Sequence, residues 1–352
     1  MVELACGLKK RGHEVEMFLY FPQYNFFRAR VENAQIQIHE FNKGPGFSFG
    51  ALRKLCSLMK NGKYDVILSY GGSPNIYAEL AKNLTGGPKL IVSERSSHLN
   101  DKSNLSALMR RIMHIMADNV VVNSISHQRW LLKNYCWIRG KVHCIYNGYD
   151  LSSCDSAISQ KKFYKGLNLL VIGRVGPEKN AINLINAIDI FNQRYNFLPS
   201  ISWVGKRDIR PNGRRYCSEV DKLLESKQEI ANRWHWLDER EDVYGLLCNS
   251  DALIHPSFYE GLPNVVCEAF ISGTPVLISN VCDHPILVKE GERGFLFDPC
   301  NPEDIADAIA KFFMLTFEER ETLSRNARSY AEDNLTIDRM VQDYECLFEK
   351  SH

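Results

Sequence analysis

Residues 167–172, LNLLVI, constrain the fold more than any other stretch. A strand so continuously apolar is buried on both faces, as happens in a parallel sheet covered by helices on each side. The run ends in Gly173-Arg174, and a helical pattern follows with Ile182, Ile185, Ile188 and Phe191 on one side. The same strand–turn–helix alternation fills the rest of the chain, which predicts an α/β protein. In the first half, strands are expected at 13–20, 34–40, 65–70, 89–93, 119–123 and 141–146. Helices are expected there at 2–12, 49–59, 74–84, 105–116 and 126–134. In the second half, strands are expected at 201–205, 234–237, 251–254, 275–279 and 295–297. Helices follow at 243–250, 303–313 and 337–350, while 206–222 reads as an exposed, charged excursion. At 352 residues the chain exceeds what one hydrophobic core sustains, so two domains are expected, 1–155 and 156–335, with a last segment at 336–352. Polar residues 152–165 read as the linker.

Composition excludes several classes. Hydrophobic content of 45% and charged content of 24% are those of an ordinary folded protein. No apolar stretch approaches the roughly 18 residues of a transmembrane helix, and no signal peptide is recognisable. Eleven scattered cysteines without a Cys-x-x-Cys pair suit a reduced, cytoplasmic protein, not a disulfide framework or a zinc site. Cys282-Asp283-His284 has no common zinc spacing and reads as a loop. The net charge of +1 hides an asymmetry. Residues 1–150 carry 20 Lys and Arg against 11 Asp and Glu, and the remainder carries 23 against 31. A basic first half suits an anionic acceptor or membrane surface. The basic clusters are short and lack interleaved aromatics, which argues against nucleic acid.

Two stretches carry chemistry. In HPSFYEGLPNVVCEAF, 255–270, a buried strand leads through a loop to a helix with Pro263 in its first turn. Gly261 lets backbone approach a ligand, and the N–H groups of Leu262, Asn264 and Val265 form an anion site at the helix start. Glu260 and Glu268 lie on roughly the same side. A helix start that attracts phosphate, flanked by carboxylates that accept from hydroxyls, suits a sugar nucleotide. Two glutamates at this spacing, taken alone, are ordinary surface residues. The second stretch is the turn from Gly173 to Asn180. Arg174 forks across two phosphate oxygens and Lys179 brings a point charge, so a diphosphate is neutralised without a metal. The plainer reading is a basic turn open to solvent.

With Pro256-Ser257, Glu260-Gly-Leu-Pro-Asn264 and Gly273-Thr-Pro-Val276 around it, the Glu-x7-Glu pair resembles the signature of the retaining glycosyltransferases of family 4, of GT-B fold. The resemblance implies two Rossmann-like doubly wound domains facing across a cleft, the second binding a nucleoside-diphosphate sugar of UDP or GDP type. It implies transfer to a hydroxyl of a glycan or polyprenyl-linked acceptor in cell-surface polysaccharide or glycoconjugate assembly, such as lipopolysaccharide or capsule, with no metal or other cofactor. It assigns Gly173, Arg174, Lys179, Glu260, Gly261, Leu262, Pro263, Asn264, Val265 and Glu268 to the donor. Arg174 and Lys179 hold the diphosphate, Glu260 the sugar and Glu268 the ribose, and Arg174, Lys179 and Glu260 are the catalytic group.

On the acceptor side, Glu94, Arg95 and His98 stand at a strand's carboxyl end, with His98 otherwise a loop residue. Gly71-Gly72-Ser73 either lines the cleft or only makes a turn. Asn147-Gly148 resembles the family's hinge, and the last helix the segment that crosses back to the first domain. Residues 238–242 resemble the loop against which the base lies. Lys206-Arg207-Asp208 departs from the glycine turn often found there. Members begin with a strand and a Gly-Gly turn ahead of a helix like 2–12, so that strand and turn are expected to be missing. Two alternatives stay open: an inactive or partner-dependent nucleotide-sugar-binding subunit, and a sugar-nucleotide epimerase.

Overall fold

The structure, a computed structural model, describes residues 1–24, 26–95, 105–154 and 166–349. It divides into two compact units, Met1–Tyr149 with Leu335–His352, and Asp150–Asn334.

The first unit runs α1 (Val2–Lys10), β1 (Glu16–Leu19), α2 (Arg28–Asn33), β2 (Gln37–Glu40), α3 (Phe49–Asn61), β3 (Val66–Tyr70), α4 (Gly72–Thr85), β4 (Lys89–Glu94), α5 (Leu105–Met113), β5 (Asn119–Val122), α6 (Ile125–Asn134) and β6 (Val142–Cys144). Among the described residues these strands form two parallel sheets, β1 with β2 and β3-β4-β5-β6. Consecutive residues of β4 and β5, Leu90 to Val92 and Val120 to Val122, are all buried, so both faces of that sheet are covered. α2 was not foreseen, and β2 begins later than expected, because Gln35 takes a left-handed φ of 54° between them. Gly71, with φ 93°, caps α4 and makes the turn from β3. The chain leaves this unit after Asn147-Gly148. A Cβ on Gly148 would lie 2.7 Å from the Ile337 Cα, so only glycine lets the two backbones pass.

The second unit runs β7 (Asn168–Ile172), α7 (Ala181–Tyr195), β8 (Ser200–Val204), α8 (Pro211–Glu225), α9 (Gln228–Ala231), β9 (Trp234–Trp236), α10 (Val243–Cys248), β10 (Ala252–His255), α11 (Asn264–Ile271), β11 (Val276–Ser279), α12 (His284–Val288), β12 (Gly294–Phe297), α13 (Pro302–Phe313) and α14 (Phe317–Asn334). Among the described residues its six strands are parallel in the order β12-β11-β10-β7-β8-β9. β7 comes first in sequence and lies centrally, so the winding reverses between β7 and β10. In such sheets the crevice at the carboxyl ends of the two switch strands is where ligands bind.

Residues 206–222 are not an exposed excursion. Val175 bridges to Arg207, and α8 follows, burying Cys217, Val220 and Leu224 while its charges face out. α14 was also unforeseen, since its buried face includes the small residues Ala327 and Ala331 beside Leu323 in an otherwise polar sequence. Pro263 is the N-cap of α11, one residue before the helix rather than inside it. The last helix, α15 (Ile337–Glu349), belongs to the first unit and buries Met340, Val341, Tyr344 and Leu347 in a cluster with Leu4, Leu8, Ile91 and Val121.

Candidate functional site

The loops that follow β7 and β10 meet at the switch point, although their motifs are far apart in sequence. Phe258 N donates to Glu178 O at 3.0 Å, and Asn180 Nδ2 to Pro256 O at 3.1 Å. The Lys179 ammonium pairs with the Glu260 carboxylate and closes the connection. Gly173 sits below, at φ 151°, where a Cβ would come 3.0 Å from Lys179 Cε. The loop after β8 packs on it so closely that a Cβ on Gly205 would lie 2.3 Å from the Gly173 carbonyl oxygen. Gly205 thus supplies a close turn ahead of Lys206-Arg207-Asp208. Its N–H donates to Asp238 O at 2.8 Å, which ties in the loop 238–242.

At the start of α11 the helical ladder opens with Val266 and Cys267 donating to Pro263 O. The amides of Gly261, Leu262 and Val265 find no acceptor among the described residues. Such outward N–H groups at a helix start attract an anion. Asn264 is exposed at the same place.

Each site cation already has a carboxylate. Arg174, about half exposed, pairs with Glu178 and lies 3.6 Å from Asp208. Asp208 is almost fully buried and also holds Arg210. An open pocket of about 510 Å³ lies here, lined by Arg174, Glu178, Asp208, Arg210 and Tyr259 among others. Lys179 and Glu260 are chain neighbours of its lining residues Glu178 and Tyr259, but neither they nor Glu268 line it. Arg210 carries no signal in the sequence as a site residue, because only the turn before α8 brings it there.

Burial alone would raise the pKa of Glu260. The hydrogen bond from His255 and the charge of Lys179 act the other way and hold the carboxyl well below its ordinary range. Glu268 is different. Its carboxylate has no hydrogen-bond or ion-pair partner among the described residues, and burial pushes its pKa up. A half-buried carboxylate with no protein partner is poised to accept hydrogen bonds from hydroxyls.

In the first unit, Glu94 ends β4 and joins a buried ionic cluster. Arg111 Nε donates to it at 3.3 Å, and His114 Nε2 lies 3.7 Å from its second oxygen. His114 Nδ1 lies 2.5 Å from Glu79, which is fully buried. Arg95 turns into its own unit. It donates to Ser93 Oγ at 2.7 Å and to Asn147 Oδ1, and lies over the Tyr70 ring. Its guanidinium is therefore committed to holding the end of β4 against Asn147. His98 lies outside the described residues. The Cys282-Asp283-His284 trio leads into α12, where His284 Nδ1 faces the Ser279 carbonyl at 2.6 Å.

With both units in view, residues 1–153 match the family model described as Glycosyltransferase Family 4, and residues 156–330 match Glycosyl transferases group 1. The chain belongs to glycosyltransferase family 4. It is a glycosyltransferase of GT-B fold. This family 4 chain is 24% identical over 313 residues to the Escherichia coli UDP-Gal:alpha-D-GlcNAc-diphosphoundecaprenol alpha-1,3-galactosyltransferase, covering 85% of this chain and 78% of that one. It is 24% identical over 360 residues to the Campylobacter jejuni N,N'-diacetylbacillosaminyl-diphospho-undecaprenol alpha-1,3-N-acetylgalactosaminyltransferase, covering 95% and 90%. Among solved structures, a Rickettsia africae glycosyltransferase superposes with a TM-score of 0.80 at 17% identity, covering 100% of this chain and 94% of that one. Anabaena HepE in complex with UDP superposes with 0.82 at 18%, covering 98% and 94%.

Proposed function

We propose that this glycosyltransferase moves a sugar from a nucleoside-diphosphate sugar, of UDP or GDP type, to a hydroxyl of a polyprenyl-linked saccharide in cell-surface polysaccharide assembly. The observation that carries this reading is the switch-point cluster of Lys179 with Glu260, beside unpaired helix-start amides and the unpartnered Glu268. The diphosphate draws the Lys179 ammonium, the Arg174 guanidinium and the amides of Gly261, Leu262 and Val265. Negative charge grows on the leaving diphosphate as the anomeric C–O bond breaks, and donors already in place stabilise it. Glu260 accepts from a sugar hydroxyl and Glu268 from the ribose. The acceptor oxygen bonds to the anomeric carbon, and its proton passes to the leaving phosphate. No metal is assigned a part; the groups that meet the diphosphate in this reading are Arg174, Lys179 and the helix-start amides. Retention is the expected course. The names of both curated relatives specify α linkages, and common UDP-hexose donors are α-linked. The relatives' acceptors, both diphosphoundecaprenol-linked, support the acceptor class.

A thermal-shift screen with UDP, GDP, ADP and their sugar conjugates tests this. One base is expected to raise the melting temperature by about 5 °C at saturating ligand. Arg174→Ala and Glu268→Ala are each expected to abolish most of that shift. No shift with any nucleotide would overturn the reading.

The same reading includes peripheral contact with an anionic membrane. No described helix is long and apolar enough to cross one. The loop at the carboxyl end of β1 exposes Tyr24 and Phe26 at 80% and 86%, and Phe49, the first residue of α3, is 79% exposed. Phe21 joins Tyr24, Lys43 lies over Phe21 and Tyr77, and Phe47 stacks on Tyr77 and touches Phe49. Exposed aromatic rings with a cation among them suit a lipid interface. Flotation with vesicles rich in anionic phospholipid is expected to carry the protein, and Phe26→Ser with Phe49→Ser to reduce the bound fraction about fivefold or more. Equal flotation of wild type and double variant would remove this surface from the account.

A further inference from the structure

β10 ends in His255, whose imidazole is 1% exposed and packed against Glu260. Its Nε2 lies 2.9 Å from Glu260 Oε1 and 3.0 Å from Ser257 Oγ. An ionised carboxylate only accepts, so Nε2 carries the proton and Nδ1 keeps a lone pair. Nδ1 is buried and has no hydrogen-bond partner among the described residues, so none of them stabilises a second proton there. The neighbouring His284 offers none. Its ring centroid is 6.0 Å away, its Nδ1 faces the Ser279 carbonyl, and its Nε2 is also a buried nitrogen without a partner. Burial and the Lys179 charge both lower the His255 pKa, in keeping with a neutral ring that donates once.

Lys179 and His255 therefore both donate to the same oxygen of Glu260, but they are unlike partners. Lys179 is a flexible, partly exposed cation that the donor diphosphate attracts. His255 is a neutral donor on a buried strand, and no ligand reaches it. We infer that His255 is a positioning residue for Glu260, holding its carboxylate while Lys179 changes partner from Glu260 to the donor diphosphate. This rests on the donor reading above. When Lys179 leaves, Glu260 loses a cation but keeps its orientation and its charge, and presents both to the sugar hydroxyls. A second cation in this place would instead hold the carboxylate away from the sugar or compete for the phosphate.

Two variants and two kinds of ligand separate this role from a structural one. His255→Leu removes the donor and keeps the pocket filled, while His255→Gln returns an amide N–H near the position of Nε2. The probes are UDP, GDP and ADP with UDP-glucose, GDP-mannose and ADP-glucose, from which wild type selects one base. For that base, His255→Leu is expected to bind the plain diphosphate within about twofold of wild type. It is expected to bind the sugar conjugate about tenfold more weakly and to lower kcat by about 20-fold, since only the sugar senses the orientation of Glu260. His255→Gln is expected to recover both to within about fivefold. Unchanged sugar-nucleotide binding in His255→Leu would overturn the inference. So would equal loss of diphosphate and sugar conjugate in both variants with a lowered melting temperature, which marks a purely structural residue. Wild type binding none of the probes would overturn the donor reading itself.

Discussion

Lys179→Ala is expected to lower kcat/KM by about 10²–10³, equivalent to roughly 3–4 kcal/mol of transition-state stabilisation. The side chain lies along Gly173 and delivers its ammonium to the point where the loops after β7 and β10 join. Removing it withdraws a full positive charge from the leaving diphosphate. It also strips Glu260 of its cation and leaves that carboxylate with the neutral His255, so part of the pull on its pKa is lost. Lys179→Arg is expected to recover little, because the larger planar guanidinium does not match a space shaped around a straight stem over a glycine. Steady-state kinetics with the donor found in the nucleotide screen checks this, with the melting temperature as a control for folding. A Lys179→Ala enzyme within threefold of wild type would remove Lys179 from the catalytic group.

The second large effect is on stability and lies in the first unit. His114 is 3% exposed between Glu79 and Glu94, with Arg111 and His127 facing Glu94 from beside it. Burial alone would lower the His114 pKa, but the hydrogen bond to Glu79 and the close charges of Glu79 and Glu94 raise it to about 9 from an ordinary 6.5. A histidine with a raised folded pKa contributes stability that is complete below its unfolded value. That stability is lost as pH rises through the folded value. The window is therefore pH 6.5 to about 9, and the loss across it is about 3 kcal/mol. His114→Leu leaves two buried carboxylates without their shared imidazolium and is expected to cost about 3–5 kcal/mol at pH 6.5. Urea unfolding at pH 6.5, 8 and 9.5 checks both statements. Wild type should weaken steeply across the series, while the variant starts lower and changes less. A wild-type curve flat over this range would show that His114 is not a buried cation.

Much of the fold was legible because its signals are local. Both faces of β7, β4 and β5 are covered, so unbroken apolar runs such as Leu169 to Ile172 announce them without any partner in view. The turn from Gly173 to Lys179 and the loop from Glu260 to Val265 were legible too, since each follows such a run and opens a helix. α8 and α14 were missed for the converse reason. Their buried faces rest on a few apolar or small residues, a pattern too sparse to outweigh the charges around them.

The sequence by itself determined which side chains carry charge and which can meet phosphate or hydroxyl, because residue type and position within a strand–turn–helix unit decide that. Only the tertiary structure decided what each one faces. It joined Lys179 to Glu260 across the reversal of the sheet and placed His255 against Glu260. It turned Arg95 inward to Asn147 and left the Glu268 carboxylate without a partner among the described residues. Except for the His255 contact, which spans five residues, those outcomes depend on strand order and on loops separated by tens of residues. Local pattern does not encode either of them; the packing of the sheet does.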